Sequence, residues 1–402
     1  MFAAPKLLAP ALLVSALTAA PASAQVPADF IVPSGQTIVY DTTLGPLQVR
    51  NLIVEPAAEL RVIGPRAFVL EATGGIVLDG VLDLSGFDRP NVATLATGNL
   101  PEVGAAGAAG GGRGGVGSFL TTTSTPAGGH GFGSALLLDG GGRGGEAGFG
   151  IGPSQNYRGS GGGGGAFGPA QPGQGLAAQA GAAGGAGSQG AVSGLTPAQG
   201  GAPGPSVFAD SDPTNDFWGL AIDPVTGVVT VGELLRPRAG TGGGAGGDGV
   251  ETASFPPLPW SPSTDKKGCG GGGGGGLALM RARFATFGPA GRILADGGAG
   301  GSGEVQSFFD SIGGGSGGGS GGMLVLQAGL IDLSLAAPDC FSAIGGVGGM
   351  GSGPGNAVGA GGAGGPGLVQ LHLQNPANLI LPAGASLADL SRPDAHVLEP
   401  VL

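Results

Sequence analysis

The sequence predicts an all-β protein, a β-solenoid-like stack of short strands with packed glycine-rich, polyglycine-type segments, and three observations carry that prediction. Short apolar strands follow one another from Phe30 to Gly86 with only a few residues between them. A strand cassette recurs after long glycine runs, and 94 of the 402 residues are glycine. The alternative left open by the same pattern is a β-sandwich with disordered glycine loops.

The chain opens with an export signal. Lys6 supplies the positive end, Leu7 to Leu17 the apolar core, and Ala22-Ser23-Ala24 a small-residue cleavage site before Gln25. Residues 1–24 are therefore read as a signal peptide. The apolar stretch is too short to span a bilayer, which takes about 20 residues, and Pro10 interrupts it. No membrane span is expected once the signal is removed, and the product is expected to be secreted, periplasmic or at the cell surface.

Residues 25–103 form the N-terminal β-strand region. The strands Thr37-Ile-Val-Tyr40, Leu47-Gln-Val49, Asn51-Leu-Ile-Val54, Leu60-Arg-Val-Ile63, Phe68-Val-Leu-Glu71, Ile76-Val-Leu-Asp79 and Val81-Leu-Asp-Leu-Ser85 are separated by Gly and Pro turns. These spacings leave no room for crossover helices. In the last two strands Ile76, Leu78, Leu82 and Leu84 share one parity, so one face is buried.

Residues 104–204 are glycine-rich, and further glycine runs lie at 240–249, 268–276, 297–303, 313–322 and 345–367. A free linker is the bland reading, because ordering glycine costs more backbone entropy than ordering any other residue. The runs lack the Ser, Lys and Glu of a solvated linker, which favours extended threefold helices laid side by side; only glycine allows backbones so close. Residues 205–265 break the pattern and read as an inserted loop or subdomain, with Trp218, Trp260, a proline cluster at Pro256, Pro257 and Pro259, and a hairpin over Ala221–Val231. Residues 266–402 hold the C-terminal β cassettes. Phe68-Val-Leu-Glu-Ala72 is echoed by Leu277-Ala-Leu-Met-Arg-Ala282, Met323-Leu-Val-Leu-Gln-Ala328 and Leu368-Val-Gln-Leu-His-Leu373.

Composition excludes some classes of function. The formal net charge is -11, charged residues are 11% and aromatics 5%, so binding to nucleic acid or to anionic lipid is disfavoured. Apolar residues reach 41% and mean hydropathy is +0.28, which is wrong for a charged, disordered chain.

The candidate sites are few. Cys269 and Cys340 are the only cysteines, and an even number in an exported chain favours a disulfide between them; the alternative is two small buried hydrophobes. Trp218 and Trp260, with Tyr157 and Phe217, offer aromatic faces for a glycan, against the plainer reading of a local apolar cluster. Gly243-Gly-Ala-Gly-Gly-Asp248-Gly-Val-Glu251 fits a calcium-roll nonapeptide, but such sites are shared between tandem copies and this chain has one. Asp210, Asp212 and Asp216 read as a solvated acidic turn. Asp79 and Asp83 read as an outer face rather than a carboxylate pair for glycan cleavage. Arg281, Arg283 and Arg292 are expected to pair with acids such as Asp296 or Glu304. The only histidines, His130, His372 and His396, are not placed for a serine triad. No catalytic residue, cofactor or metal is inferred.

The segments Glu233-Leu-Leu-Arg236-Pro-Arg238-Ala-Gly240 and Ser263-Thr-Asp-Lys266-Lys-Gly268, leading into the glycine run and the Leu277 cassette, resemble exported glycine-rich proteins of Gram-negative bacteria over residues 220–370. That resemblance implies export and a β-plus-glycine plan, and brings no catalytic residue with it. The expected function is an exported structural or surface-associated, non-enzymatic protein with a cell-surface or matrix partner. The alternative is a secreted carbohydrate-binding or polysaccharide-cleaving protein.

Overall fold

Local alternation decides where the strands turn their side chains. The computed structural model describes residues 27–92, 101–117, 127–133, 141–151, 160–167, 199–204, 213–223, 226–252, 265–306, 311–351 and 359–400. In Glu59–Ile63 only Leu60 and Val62 are buried, and in Phe68–Ala72 it is Phe68, Leu70 and Ala72. Sharp corners at Asp79-Gly80 and at Gly64 then send successive strands into two different sheets.

The larger sheet has ten strands, with a main path that runs Phe30–Val32, Leu52–Val54, Gly75–Leu78, Leu277–Phe287, Met323–Asp332, Leu368–His372 and His396–Leu398. Leu47–Val49 joins it through Phe68–Ala72, which itself pairs with Leu277–Phe287. The smaller sheet has six strands in the order Thr37–Asp41, Glu59–Ile63, Val81–Asp83, Arg292–Leu294, Phe341–Ser342 and Ser391–Arg392. Every pairing within these two sheets is parallel. One apolar core lies between them. It contains Leu52, Leu70, Ile76, Leu78, Met280 and Leu326 from the large sheet, and Leu60, Val62, Leu82, Ile293 and Phe341 from the small one. Tyr40 meets Phe68 edge to face at 5.6 Å, and Phe287 meets Phe341 at 5.0 Å.

This architecture corrects the expected one. The chain is not a β-solenoid: no sheet closes, and the strands form open, mainly parallel sheets of very unequal strand lengths. The reason is visible in Leu277–Phe287, whose 11 residues pair with both Phe68–Ala72 and Gly75–Leu78. Two short strands and their corner on one side face a single unbroken strand on the other, so no uniform coil is repeated. The antiparallel sandwich is excluded as well. Among the described residues antiparallel pairing occurs only in small outlying ladders, among them the hairpin of Leu220–Ile222 with Val229–Val231.

The glycine runs are not free loops either; they continue the strands. The run 268–276 feeds Leu277–Phe287, 313–322 feeds Met323–Asp332, and 359–367 feeds Leu368–His372. Their amides bond from run to run: Gly115 N to Gly243 O at 2.8 Å, Gly243 N to Gly272 O at 3.0 Å, Gly272 N to Gly317 O at 2.9 Å, and Gly318 N to Gly362 O at 2.9 Å. Close approaches recur every third residue. Gly268, Gly271 and Gly274 face Gly246, Gly243 and Gly240 in turn, as three residues per turn require. A Cβ on Gly243 would sit 2.1 Å from Gly317 O. Buried serines supply extra bonds inside the bundle: Ser320 Oγ accepts from Thr241 N at 2.8 Å and Ser316 Oγ from Gly301 N at 2.9 Å.

Residues 213–223 and 226–236 lie over the outer face of the large sheet. Leu234 and Trp218 pack with Phe167, Leu277, Met323, Val325 and Leu368 in a second, smaller apolar cluster. Among the described residues no helix is long and apolar enough to cross a membrane.

Candidate functional site

Parallel pairing in register places like positions of successive strands side by side. On the outer face of the large sheet this builds a transverse row, Gln48, Glu71, Arg281, Gln327 and His372, each the direct partner of the next. Neighbours in such a row are about 4.8 Å apart along the hydrogen-bonding direction. Two residues further along the strands come Thr73, Arg283 and Gln374, again on the outer face.

Of these residues Glu71, Thr73, Arg281, Arg283, Gln327 and Gln374 line an open groove of about 520 Å³. Arg281, Arg283, Glu71, Thr73 and Gln374 are exposed and Gln327 is half-buried. Glu71 Oε2 accepts from Gln48 Nε2 at 2.9 Å. Among the described residues neither Arg281 nor Arg283 forms an ion pair, although the chain is acidic overall. Guanidinium groups are planar forks of donors suited to carboxylates, so the groove presents two unspent cationic forks beside amide, hydroxyl and carboxylate groups.

Where the row ends, the polar groups become buried. Gln370 and His372 are fully buried, covered by Trp218 and by the chain at Glu399. Gln370 Nε2 donates to Trp218 O at 3.1 Å, and His372 Nδ1 lies 2.5 Å from Glu399 O. A ring nitrogen facing a carbonyl carries the proton, so His372 Nε2 is the bare acceptor. Burial also pushes the His372 pKa below that of an ordinary histidine, which keeps the ring neutral. Among the described residues neither Nε2 nor Gln370 Oε1 has a hydrogen-bond partner.

A second recess, of about 550 Å³, lies where the small sheet meets the glycine bundle. Its charges are all spoken for. Arg61 pairs with Asp83, donates to Ser85 O at 2.6 Å and lies 4.6 Å over the Phe87 ring. Asp296 Oδ1 accepts from Ser342 Oγ at 2.6 Å and from Ile344 N at 2.8 Å, while burial raises the pKa of its carboxyl. The first groove is therefore the better candidate.

The residues singled out from sequence are dispersed. Cys269 and Cys340 are both buried and free, so the expected disulfide is not formed. Cys269 sits in the glycine bundle with its thiol 3.5 Å from Pro90 O, and Cys340 sits in the core 3.4 Å from Leu390 O; each thiol fills a small gap in a different layer. Burial pushes the two thiols up to about 11 and about 12 respectively, and a thiol protonated at neutral pH is a poor nucleophile. A small alkylating reagent at pH 8 should therefore label neither cysteine in the folded protein and both after denaturation without reductant. Labelling that appears only after reduction would restore the bridge.

Trp218 is half-buried, its ring 6.0 Å from that of His372, so it caps a polar corner rather than presenting an open face. Trp260, Tyr157, Asp210 and Asp212, the proline cluster and the signal peptide lie outside the described residues. Asp248 accepts from Gly268 N at 2.7 Å within the bundle. Asp79 lies at the corner leaving the large sheet while Asp83 belongs to the small one, so they do not form a pair. Glu304 lies 3.6 Å from Lys266, and Arg292 is in the small sheet, so the expected arginine pairing with Asp296 or Glu304 is not made. Among the described residues no cluster of His, Cys, Asp or Glu could hold a metal ion.

Sequence reasoning missed the Glu71, Arg281, Gln327 and His372 row, although the signal for it was present. These residues occupy the same place in the aligned cassettes. Comparison with protein-family models, with curated proteins and with solved structures finds no match.

Proposed function

We propose that this protein is an exported structural component of the cell surface or its surroundings, without catalytic activity of its own. The observation that carries the reading is the hydrogen bonding between glycine runs far apart in the chain, such as Gly272 N to Gly317 O and Gly318 N to Gly362 O. Side-chain-free polypeptide bonded in this way ties down its backbone against proteolysis within the runs, which suits a chain that works outside the protection of the cytoplasm. The acidic balance and the paucity of lysine speak against a nucleic-acid partner. The Lys6 to Ala24 segment speaks for export.

Cells producing the full chain should yield a product outside the inner membrane that begins at Gln25. Its amides in 268–276 and 313–322 should exchange as slowly as those of Leu277–Phe287. An uncleaved cytoplasmic product, or exchange within seconds in those two runs, would overturn the proposal.

A further inference from the structure

We infer that the outer-face groove formed by Glu71, Thr73, Arg281, Arg283, Gln327 and Gln374 is a binding site for a uronate-bearing polysaccharide. This goes beyond a structural role and stands on the groove alone.

The charge pattern comes first. Arg281 and Arg283 are two residues apart on one strand and point to the same face, about 6.5 Å apart along it. Each is exposed and without an ion pair among the described residues. In a chain of net charge -11, two neighbouring unpaired guanidinium groups form a local exception to the surrounding field. Their planar donors match carboxylates.

The neighbours of the arginines then narrow the ligand. Gln327, Gln374, Thr73 and Glu71 are donors and acceptors suited to hydroxyl groups. Glu71, in register with Arg281, disfavours a ligand with more than one negative charge per repeating unit. A carboxylate surrounded by hydroxyls answers both requirements, and that is a sugar acid. The row from Gln48 to Gln327 meets a ligand once per strand, so an extended chain of rings lying across the strands would find a polar side chain at each step.

A peptide is the weaker fit. Peptides recognised by sheets pair with the free backbone groups of an edge, whereas this groove lies on the face of the central strands Leu277–Phe287 and Met323–Asp332, whose backbone groups are already bonded on both sides. The groove volume of about 520 Å³ is within the range of sites that hold small ligands or short oligomers.

The test is calorimetric titration of the purified protein with polygalacturonate, its fully methyl-esterified form, and polyglutamate. Saturable binding of polygalacturonate, at least about tenfold tighter than of the ester, is expected from the loss of charge-assisted bonds. An Arg281→Gln/Arg283→Gln double variant should lose at least about tenfold in affinity. Arg283→Lys, which keeps the charge and loses the fork, should fall between the two. Unchanged thermal unfolding of the variants keeps the comparison clean, and the arginines' exposure makes that the expected result. No binding of polygalacturonate, equal binding of the ester, or full binding by the double variant would overturn the site. Polyglutamate binding as tightly as polygalacturonate would overturn the assignment to a polysaccharide. The export and hydrogen-exchange results are indifferent to all of these outcomes, so either proposal can fail alone.

Discussion

Replacing Gly317 by alanine should destabilise the protein by about 3 to 5 kcal/mol, from overpacking and lost backbone hydrogen bonds combined. The added Cβ would lie 2.0 Å from Gly163 O, 2.5 Å from Gly163 C and 3.0 Å from Gly164 N. All three are backbone atoms, so no side chain can swing aside to make room. Moving the 160–167 run away would strain the bonds it makes to its neighbours, from Gly162 N to Gly315 O at 3.0 Å, from Gly165 N to Gly318 O at 2.9 Å and from Gly244 N to Gly163 O at 2.8 Å. Against a typical total stability of about 5 to 15 kcal/mol the loss is severe. Ala363→Ser is the natural control, because Ala363 lies in a glycine run yet is exposed; a change within about 0.5 kcal/mol is expected there. Denaturant unfolding of both variants decides the matter. A Gly317→Ala protein as stable as the parent would mean that the runs are not packed as close neighbours.

The same contrast explains how much of the molecule could be read from its residues. Strand parity identified the buried side of Gly75–Leu78 and of the strand after it, where Ile76, Leu78, Leu82 and Leu84 are all buried, because a half-buried strand writes its environment into every second residue. The recurring cassettes identified strands that do lie beside one another: Met280 is the partner of Leu70 and of Leu326, as their places in the cassettes suggest. What did not follow was the architecture. Short strands joined by glycine corners look alike whether the coil continues or is replaced by one long strand, and nothing in Leu277–Phe287 announces that it spans two earlier strands. The glycine runs are a different case, since a residue without a side chain carries no pattern of burial, and its neighbours are set by the fold alone.

The site was legible in part. Glu71, Arg281, Gln327 and His372 stand at one cassette position, so the sequence held the row; it becomes a row in space only because the strands pair parallel and in register. The ring of Trp218 is evident in the sequence, yet its covered position over His372 depends on where the segment around it settles, which no local signal encodes. The cysteines misled for a plain reason. An even count in an exported chain argues for a bridge on grounds of redox compartment, but Cys269 and Cys340 fall in different layers, and the distance between layers is a property of the fold.

Phe341→Ala should cost about 3 to 5 kcal/mol, the range for truncating a large buried aromatic, and should do so by loosening one sheet from the other. Phe341 is 1% exposed and belongs to the two-residue strand Phe341–Ser342 of the small sheet. Its ring centroid lies 5.0 Å from that of Phe287, at the end of the longest strand of the large sheet. A strand so short contributes little through its backbone, so the side chain is its main hold on the core, and truncation leaves a cavity that two hydrogen-bonded sheets cannot easily close. Val39→Thr, on the exposed face of Thr37–Asp41 at 57% exposure, should stay within about 0.5 kcal/mol. The Phe287→Ala/Phe341→Ala double variant is the sharper measurement. If the rings act as one contact, its loss should fall short of the sum of the single losses by about 0.5 to 3 kcal/mol. Strict additivity, or a Phe341→Ala loss below about 1 kcal/mol, would mean that the sheets are held together elsewhere. Among the described residues that leaves the rest of the shared core, such as Leu60, Leu82 and Ile293, and the glycine bundle that both sheets adjoin.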